Sequence, residues 1–456
     1  MIKPVVAGLL VGVLLVVVDA GAAAGASAQS SVHAGSSAPA VTQAPERCGG
    51  APRLGPDEPR LDTVVIHGAE RTRQSIILRT TGLQSREVLT REAFDRALRR
   101  LRDIPVASDA CMKYASLDGR FTQVDVVIDE RPVVPSGWKA LAVVGARAVL
   151  INELRLDVAG PMGAGELARA SWRWSAGRPR VALSLALPAP PWLRGIMTFE
   201  GSWERQSYDA TPETVATVFS EERRRIGLRV ADWSTSWLHW ETGAALDRLP
   251  AQVDIDPLRV VPRHSLAIES AMDVRLAAER LALAATADWW TPFAGGDRFG
   301  AGGLLVAWRS TRDTTRPFWS ALTEVSGASR SAPLALWQGA GTGKGRSGLL
   351  RAHPLTDAGV FTGPVFGRHV ARGTVEYVRP VRPARWRGLA IAGFVDTARA
   401  WHRLGRVDPS RIYIDAGVGL RVHSPGAGGA IRIDVARGLR GGGTRLSAGW
   451  GGTWPR

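Results

Sequence analysis

Residue types that do chemistry are thinly spread along this chain of 456 residues. It has two cysteines and eight histidines, and no H-E-x-x-H, no G-x-S-x-G and no convincing catalytic triad. Cys48 and Cys111 stand 63 positions apart with no histidine at ligand spacing, which matches no zinc pattern. In an oxidising compartment the two read as one disulfide, with two unpaired thiols as the alternative. The run Gly339-Ala340-Gly341-Thr342-Gly343-Lys344-Gly345 invites a phosphate-loop reading. It fails twice: Gln338 holds the first glycine position, and Gly345 stands where a Ser or Thr must reach Mg²⁺. The expectation is a protein without catalysis, cofactor or metal.

Composition narrows the class. At 45% hydrophobic and 22% charged residues the chain is too apolar for disorder. Its balance of 58 basic against 42 acidic residues, a net +16, suggests a nucleic-acid partner at first. Only Lys3, Lys113, Lys139 and Lys344 are lysines, however, and the arginines are scattered rather than clustered. No nucleic-acid partner is expected. More informative are the 17 tryptophans, against ten Phe and four Tyr, every one between Trp138 and Trp454.

Residues 1–28 have the three parts of a secretory signal: Lys3, the apolar run Val5 to Val18, and the small residues Ala26-Ser27-Ala28. That run is shorter than the roughly 20 residues a helical span needs. An uncleaved N-terminal anchor is the alternative. Residues 29–59, rich in Ser, Ala, Pro and Gly, read as a flexible leader.

Residues 60–132 form a small module. Leu61 to Ile66 reads as a strand, Ser75 to Thr80 and Thr90 to Leu101 as short helices, and Ala110 to Leu117 with Phe121 to Ile128 as a hairpin about Asp118-Gly119. The order is β-α-α-β-β. Its opening phrase, Thr63-Val64-Val65-Ile66-His67-Gly68-Ala69, and its close, Val126-Val127-Ile128-Asp129-Glu130-Arg131-Pro132, resemble a POTRA domain. The resemblance implies binding of extended clients by strand addition at a sheet edge; a generic α+β spacer is the alternative.

From residue 137 to 456 the pattern is dyad alternation in segments of about ten residues divided by Gly, Pro and Asp turns, as in Arg180 to Leu187, Leu281 to Trp289 and Ile412 to Val422. Trp172, Trp174, Trp203, Trp233, Trp237, Trp240, Trp289, Trp290, Trp308, Trp319, Trp401 and Trp450 fall near segment ends, where membrane-interface girdles lie. Sixteen candidate strands emerge, the first over Trp138 to Val149 and the last over Thr444 to Gly451. The expected fold is therefore mainly β: a 16-stranded transmembrane β-barrel preceded by one small α+β module.

Within that region Leu350-Arg351-Ala352-His353 resembles the V/I-R-G-F/Y loop motif of the BamA/TamA superfamily, and Phe394-Val395-Asp396-Thr397-Ala398 resembles its F-x-D-x-G strand motif. Glu376-Tyr377-Val378-Arg379-Pro380 and Ala430 to Leu439 are similar to two further strands of that family. The resemblance implies a loop folded back into the barrel, with Arg351 paired to Asp396. It also implies a weak seam between first and last strands, represented by Trp138, Leu141, Val143, Leu446 and Trp450, and a terminal aromatic in Trp454. Ala352, His353 and Ala398 depart from the motifs. The same resemblance implies an outer-membrane protein with its small domain in the periplasm, a monomeric barrel that inserts or translocates polypeptide clients among outer-membrane lipids and accessory assembly proteins. The rivals are a passive pore, a surface-antigen barrel that binds anionic lipid, and a soluble β-rich binder.

Overall fold

The computed structural model describes residues 59–452 except 117–120, 135–140, 142–143, 146–147, 150–151, 210–217, 250–251, 256–257, 262–264, 279, 312, 314, 340–349, 363–364, 382–387, 404–410 and 424–428. The signal and leader segments, Cys48, Trp138, Val143 and Trp454 lie outside the described residues.

The N-terminal module runs β1 (Arg60–His67), α1 (Gln74–Thr81), α2 (Arg91–Asp103), β2 (Ala107–Ser116) and β3 (Phe121–Glu130). Its sheet order is β1-β3-β2, with β1 parallel and β2 antiparallel to β3. The helix α2 starts at Thr90, whose hydroxyl accepts the Ala93 N–H at 3.1 Å. Phe94, Ala97 and Leu101 repeat at helical spacing and bury against Met112, Val124, Val126 and Ile128, the inward positions of the two hairpin strands. Cys111, which is disulfide-bonded, lies in β2 opposite Val127.

Fifteen long strands build the wall among the described residues. They are β4 (Glu153–Ala159), β5 (Leu167–Arg173), β6 (Arg180–Pro188), β7 (Ile196–Asp209), β8 (Val218–Trp233) and β9 (Leu238–Leu249), then β12 (Ser265–Ala277), β13 (Leu281–Pro292), β14 (Phe299–Arg309) and β15 (Phe318–Ala328), then β19 (Phe366–Pro380), β20 (Leu389–Arg403), β21 (Tyr413–His423), β22 (Gly429–Gly438) and β23 (Thr444–Gly452). A hairpin of β10 (Gln252–Ile255) and β11 (Leu258–Val261) extends one connection. The pairs β16 (Gln338–Gly339), β17 (Thr356–Asp357) and β18 (Val360–Phe361) belong to the connection between β15 and β19. The sheet closes with β23 beside β4. Closure leaves no edge to be satisfied in hydrocarbon.

One expectation is corrected. The stretch Trp138 to Val149 is not a strand where it is described: Leu141, Val144, Gly145, Ala148 and Val149 are helical. Leu141, Val144 and Ala148 repeat at i, i+3 and i+7, and an alanine-rich segment favours that period over alternation. The first described wall strand is β4, so Leu141 contributes no strand to the seam beside β23.

Alternation sorts the wall into two surfaces. Leu183, Ile226, Leu304, Val395 and Leu446 point outward and are exposed. Trp172, Trp174 and Trp289 stand exposed at one end of the barrel, and Trp237, Trp308, Trp319 and Tyr377 at the other, two rings of the kind that bracket a bilayer. Trp233 and Trp290 depart from the girdle reading, because both are buried: Trp290 faces the lumen, and the N-terminal module covers Trp233.

The module sits on the rim where β4 ends, here called the near end. Glu130, in the acidic close of the module, accepts the backbone N–H groups of Arg71 (3.1 Å) and Thr72 (2.8 Å) and the Arg71 guanidinium (3.0 Å). Arg71 in turn donates to the carbonyls of Arg131 and Ala159. This joins module and wall through one side chain. Burial pushes the Glu130 carboxyl up, but the hydrogen bonds from Thr72 and Arg71 outweigh it and hold the group below its ordinary value. A depressed carboxyl contributes stability that is complete above its unfolded value and is lost as pH falls through the folded one. Thermal unfolding of the module followed by near-UV circular dichroism should therefore be flat in this respect above about pH 5 and fall below about pH 4, and Glu130→Gln should remove that slope.

Candidate functional site

The connection between β15 and β19 turns back into the barrel. Leu334, Leu336 and Trp337 bury in a cluster with Tyr208, Leu249, Trp290 and Phe299, residues at the far ends of the wall strands. Further on, Val360 and Phe361 pair in parallel with Ser207 and Tyr208 of β7, and the Phe361 and Tyr208 rings stack at 5.1 Å. The connection thus reaches the wall opposite its own origin. Between these two attachments lies Leu350-Arg351-Ala352-His353, all four residues buried.

Arg351, only 3% exposed, meets a set of carboxylates. Its nearest is Glu376 of β19 at 3.0 Å, followed by Asp396 of β20 and Asp434 of β22, each at 3.5 Å. The guanidinium carbon lies 3.5 Å from the centroid of the Phe394 ring, where the face of the ring attracts a cation. Arg421 of β21 bonds Glu376 with two nitrogens (3.0 and 2.8 Å) and Asp434 with a third contact at 2.6 Å. Asp396 also accepts the Thr374 hydroxyl at 2.6 Å. The result is an alternating network of guanidinium and carboxylate groups across four neighbouring strands. A buried cation without such partners would cost several kcal/mol.

The flanking residues complete the seat. The Ala352 N–H donates to Asp415 at 2.6 Å, and the His353 Nδ1 lies 2.6 Å from the other oxygen of the same carboxylate. His353 also packs edge to face on Tyr413 at 4.9 Å. A Cβ on Gly438 would fall 2.8 Å from the His353 ring, and one on Gly417 would fall 2.6 Å from Phe394, so both glycines leave room for the loop and its ring. Ala398 and Leu350 share an apolar cluster with Val365, Val370, Ala400 and Tyr413.

A second charged region lines a cavity of about 510 Å³ in the lumen, where Arg223, Arg225 and Arg229 of β8 project at alternate positions. Asp247 pairs with Arg223 at 2.5 Å, Glu200 and Glu269 with Arg225 at 2.7 Å, and Glu241 with Arg229 at 2.8 Å. The arginines of this wall are neutralised in place.

No protein-family profile and no curated protein matches the sequence. Solved structures match it well. CdiB from Escherichia coli superposes with a TM-score of 0.56 at 13% identity, over 86% of this chain and 76% of that one. BamA from Haemophilus ducreyi lacking POTRA domains 1–3 does so with 0.50 at 13% identity, over 85% and 83%. CdiB from Acinetobacter baumannii does so with 0.51 at 11% identity, over 86% and 73%. This chain has the BamA/CdiB barrel fold.

On this BamA/CdiB-type barrel the residues singled out by motif fall as follows. Arg351 and Asp396 come together as an ion pair, but the Arg351 hydrogen bond goes to Glu376, and Asp434 shares the charge. Leu446 points outward on β23, and Trp450 lies on the same strand opposite Ile431. Gln338 and Gly339 pair with Gly367 and Phe366 as a short ladder. Glu376, Asp415, Arg421 and Asp434 escaped the sequence reading as site residues. Their signal was charge at inward-facing strand positions, which becomes readable only when the register is known.

Arg351→Ala should destabilise the folded barrel by about 3–5 kcal/mol in urea titrations in detergent, because it leaves Asp396 buried without its cation while Glu376 and Asp434 keep Arg421. Arg351→Lys should recover only part of this, since an ammonium has neither the planar fork nor the delocalised charge that Arg351 places over Phe394.

Proposed function

We propose that this protein is an outer-membrane barrel that inserts or translocates other polypeptides, with the N-terminal module acting as a periplasmic POTRA-type domain. The observation that carries the reading is the lumen loop held by Arg351 across β19 to β22, inside a barrel of the BamA/CdiB fold. The module supports the same reading. Its sheet ends in β2 on one side, while β1 on the other is bonded by Arg86, Glu87 and Leu89 neighbours through Leu61 and Pro59. An extended client strand has β2 to pair with, the mode of recognition by strand addition.

The mechanism follows from strand pairing rather than group transfer. Peptide groups of a client are costly in hydrocarbon until each finds a partner. A wall strand whose ladder opens beside the client satisfies them one after another, so the energy of strand pairing drives entry. The seam between β23 and β4 is the place in the closed order where the last strand meets the first. No covalent step is required of any residue.

A passive anion pore of the same fold is the second reading. The charge pattern does not favour it: the lumen arginines of β8 each face a carboxylate within 2.8 Å, and an anion path needs cations left free to attract.

The two readings part in reconstitution. Proteoliposomes containing the protein should speed the folding of an urea-unfolded eight-stranded outer-membrane protein, read as protease protection, at least tenfold over empty liposomes, while planar bilayers should show no steady open conductance. Steady conductance without acceleration would establish the pore instead.

A further inference from the structure

The N-terminal module meets the barrel in an unusually regular way. Five of its arginines each donate to a main-chain carbonyl at the near end of a wall strand. Arg71 reaches Ala159 at the end of β4 (3.1 Å), and Arg79 reaches Ala189 just past β6 (3.2 Å). Arg100 and Arg96 reach Trp233 (3.0 Å) and Ser234 (3.2 Å) at the end of β8. Arg99 reaches Ala277 at the end of β12 (3.4 Å). All four strands run toward the near rim, so what they present there is their terminal carbonyls. Such groups lie at the limit of the ladder and need donors from elsewhere. A guanidinium supplies five N–H groups on a long arm and has no acceptor to conflict with them.

The arrangement has an anchor. Arg100 and Asp232, 6% and 7% exposed, form a two-pronged pair at 2.8 and 2.6 Å. Beside them the Trp233 indole donates to Asp103 at 2.6 Å, and Arg99 lies over the indole ring at 4.6 Å. Glu92 accepts the backbone N–H (2.6 Å) and hydroxyl (2.5 Å) of Ser236. Glu92, Arg96, Arg100 and Asp103 follow one another at steps of four, four and three along α2. That spacing puts them on one helical face, opposite the apolar face of Phe94, Ala97 and Leu101 that holds the module together. One helix therefore presents its apolar stripe to its own domain and its charged stripe to the barrel.

We infer that α2 is a docking helix, and that Arg100 with Asp232 is the positioning pair that holds the module in one orientation over the ends of β4, β6, β8 and β12. The functional consequence rests on the insertion reading above: a module fixed in this way delivers a client strand from β2 to the barrel along a constant path. A swinging module would have to find the path anew for each client.

The test uses the full chain in proteoliposomes, with spin labels at Asp62→Cys in β1 and Arg316→Cys on a near-end turn, both exposed positions. Heat-modifiable migration selects folded barrels. Wild-type background should give one narrow distance distribution. Arg100→Ala and Asp232→Ala should each at least double its width, and the exchange Arg100→Asp with Asp232→Arg should narrow it again. Should the buried variants fail to fold, Arg96→Gln removes one rim donor without touching the buried pair, and broadening is expected there too. A broad wild-type distribution, or unchanged widths in every folded variant, would overturn the clamp. In the insertion assay with the urea-unfolded eight-stranded protein, Arg100→Ala should slow the rate at least fivefold and the exchange should restore it. Broadening with an unchanged rate would overturn the positioning role. A wild type that inserts nothing would overturn the insertion reading, while the distance measurement would still decide the clamp.

Discussion

A peptide group facing hydrocarbon has no water to fall back on, and the architecture of this chain follows from that constraint. The strands must pair on both sides, so the sheet has to close, as it does with β23 beside β4. Closure gives every strand one face for lipid and one for the lumen. Charged residues then have one place to go. Arg223, Arg225 and Arg229 on β8 occupy alternate positions for this reason, and the intervening Ile226 and Leu228 face outward.

Placing charge in a confined lumen creates the second requirement, that each cation meets an anion. This is where the arginine bias of the composition acquires a structural meaning. Only four of 58 basic residues are lysine, and the sites that organise the molecule use what lysine lacks. Arg421 bridges Glu376 and Asp434, Arg351 lies over Phe394 while reaching three carboxylates, and Arg100 grips Asp232 with two nitrogens and Trp233 with one of the same pair. Planar geometry with several donors suits such junctions; a point charge does not.

The two arginine junctions divide the labour. Arg351 ties the long connection to one wall, and the Val360 to Phe361 pairing with β7 ties it to another. Arg100 ties the module to the near rim. Loop, wall and module are thereby held in fixed relation by side chains that lie far apart in sequence. The small module also explains its own acidic closing phrase: Glu130 accepts from Arg71 and Thr72, so the residues that looked like a signature bond the end of the module to its first loop.

Much was legible locally. Alternation from Arg180 to Leu187 or Leu281 to Trp289 is visible in any short window, because a strand's two faces differ at successive residues, and the order β-α-α-β-β of the module follows from periods of two and 3.6. Where the local pattern is ambiguous the alternation misleads: Trp138 to Val149 contains apolar residues that fit either period, and its alanines favour helix. Trp233 and Trp290 lie near strand ends like the girdle residues, but their indoles bond Asp103 and Asp247. The sequence by itself determined that alternating strands build a barrel behind a small α+β module, since alternation and helical spacing are properties of neighbouring residues. Only the tertiary structure decided that Glu376 stands closest to Arg351, that Asp434 and Arg421 complete the network, and that Arg100 of a helix finds Asp232 on the rim. Those partners are set by strand register and by the path of a loop through the lumen, and neither is encoded in the spacing of adjacent residues.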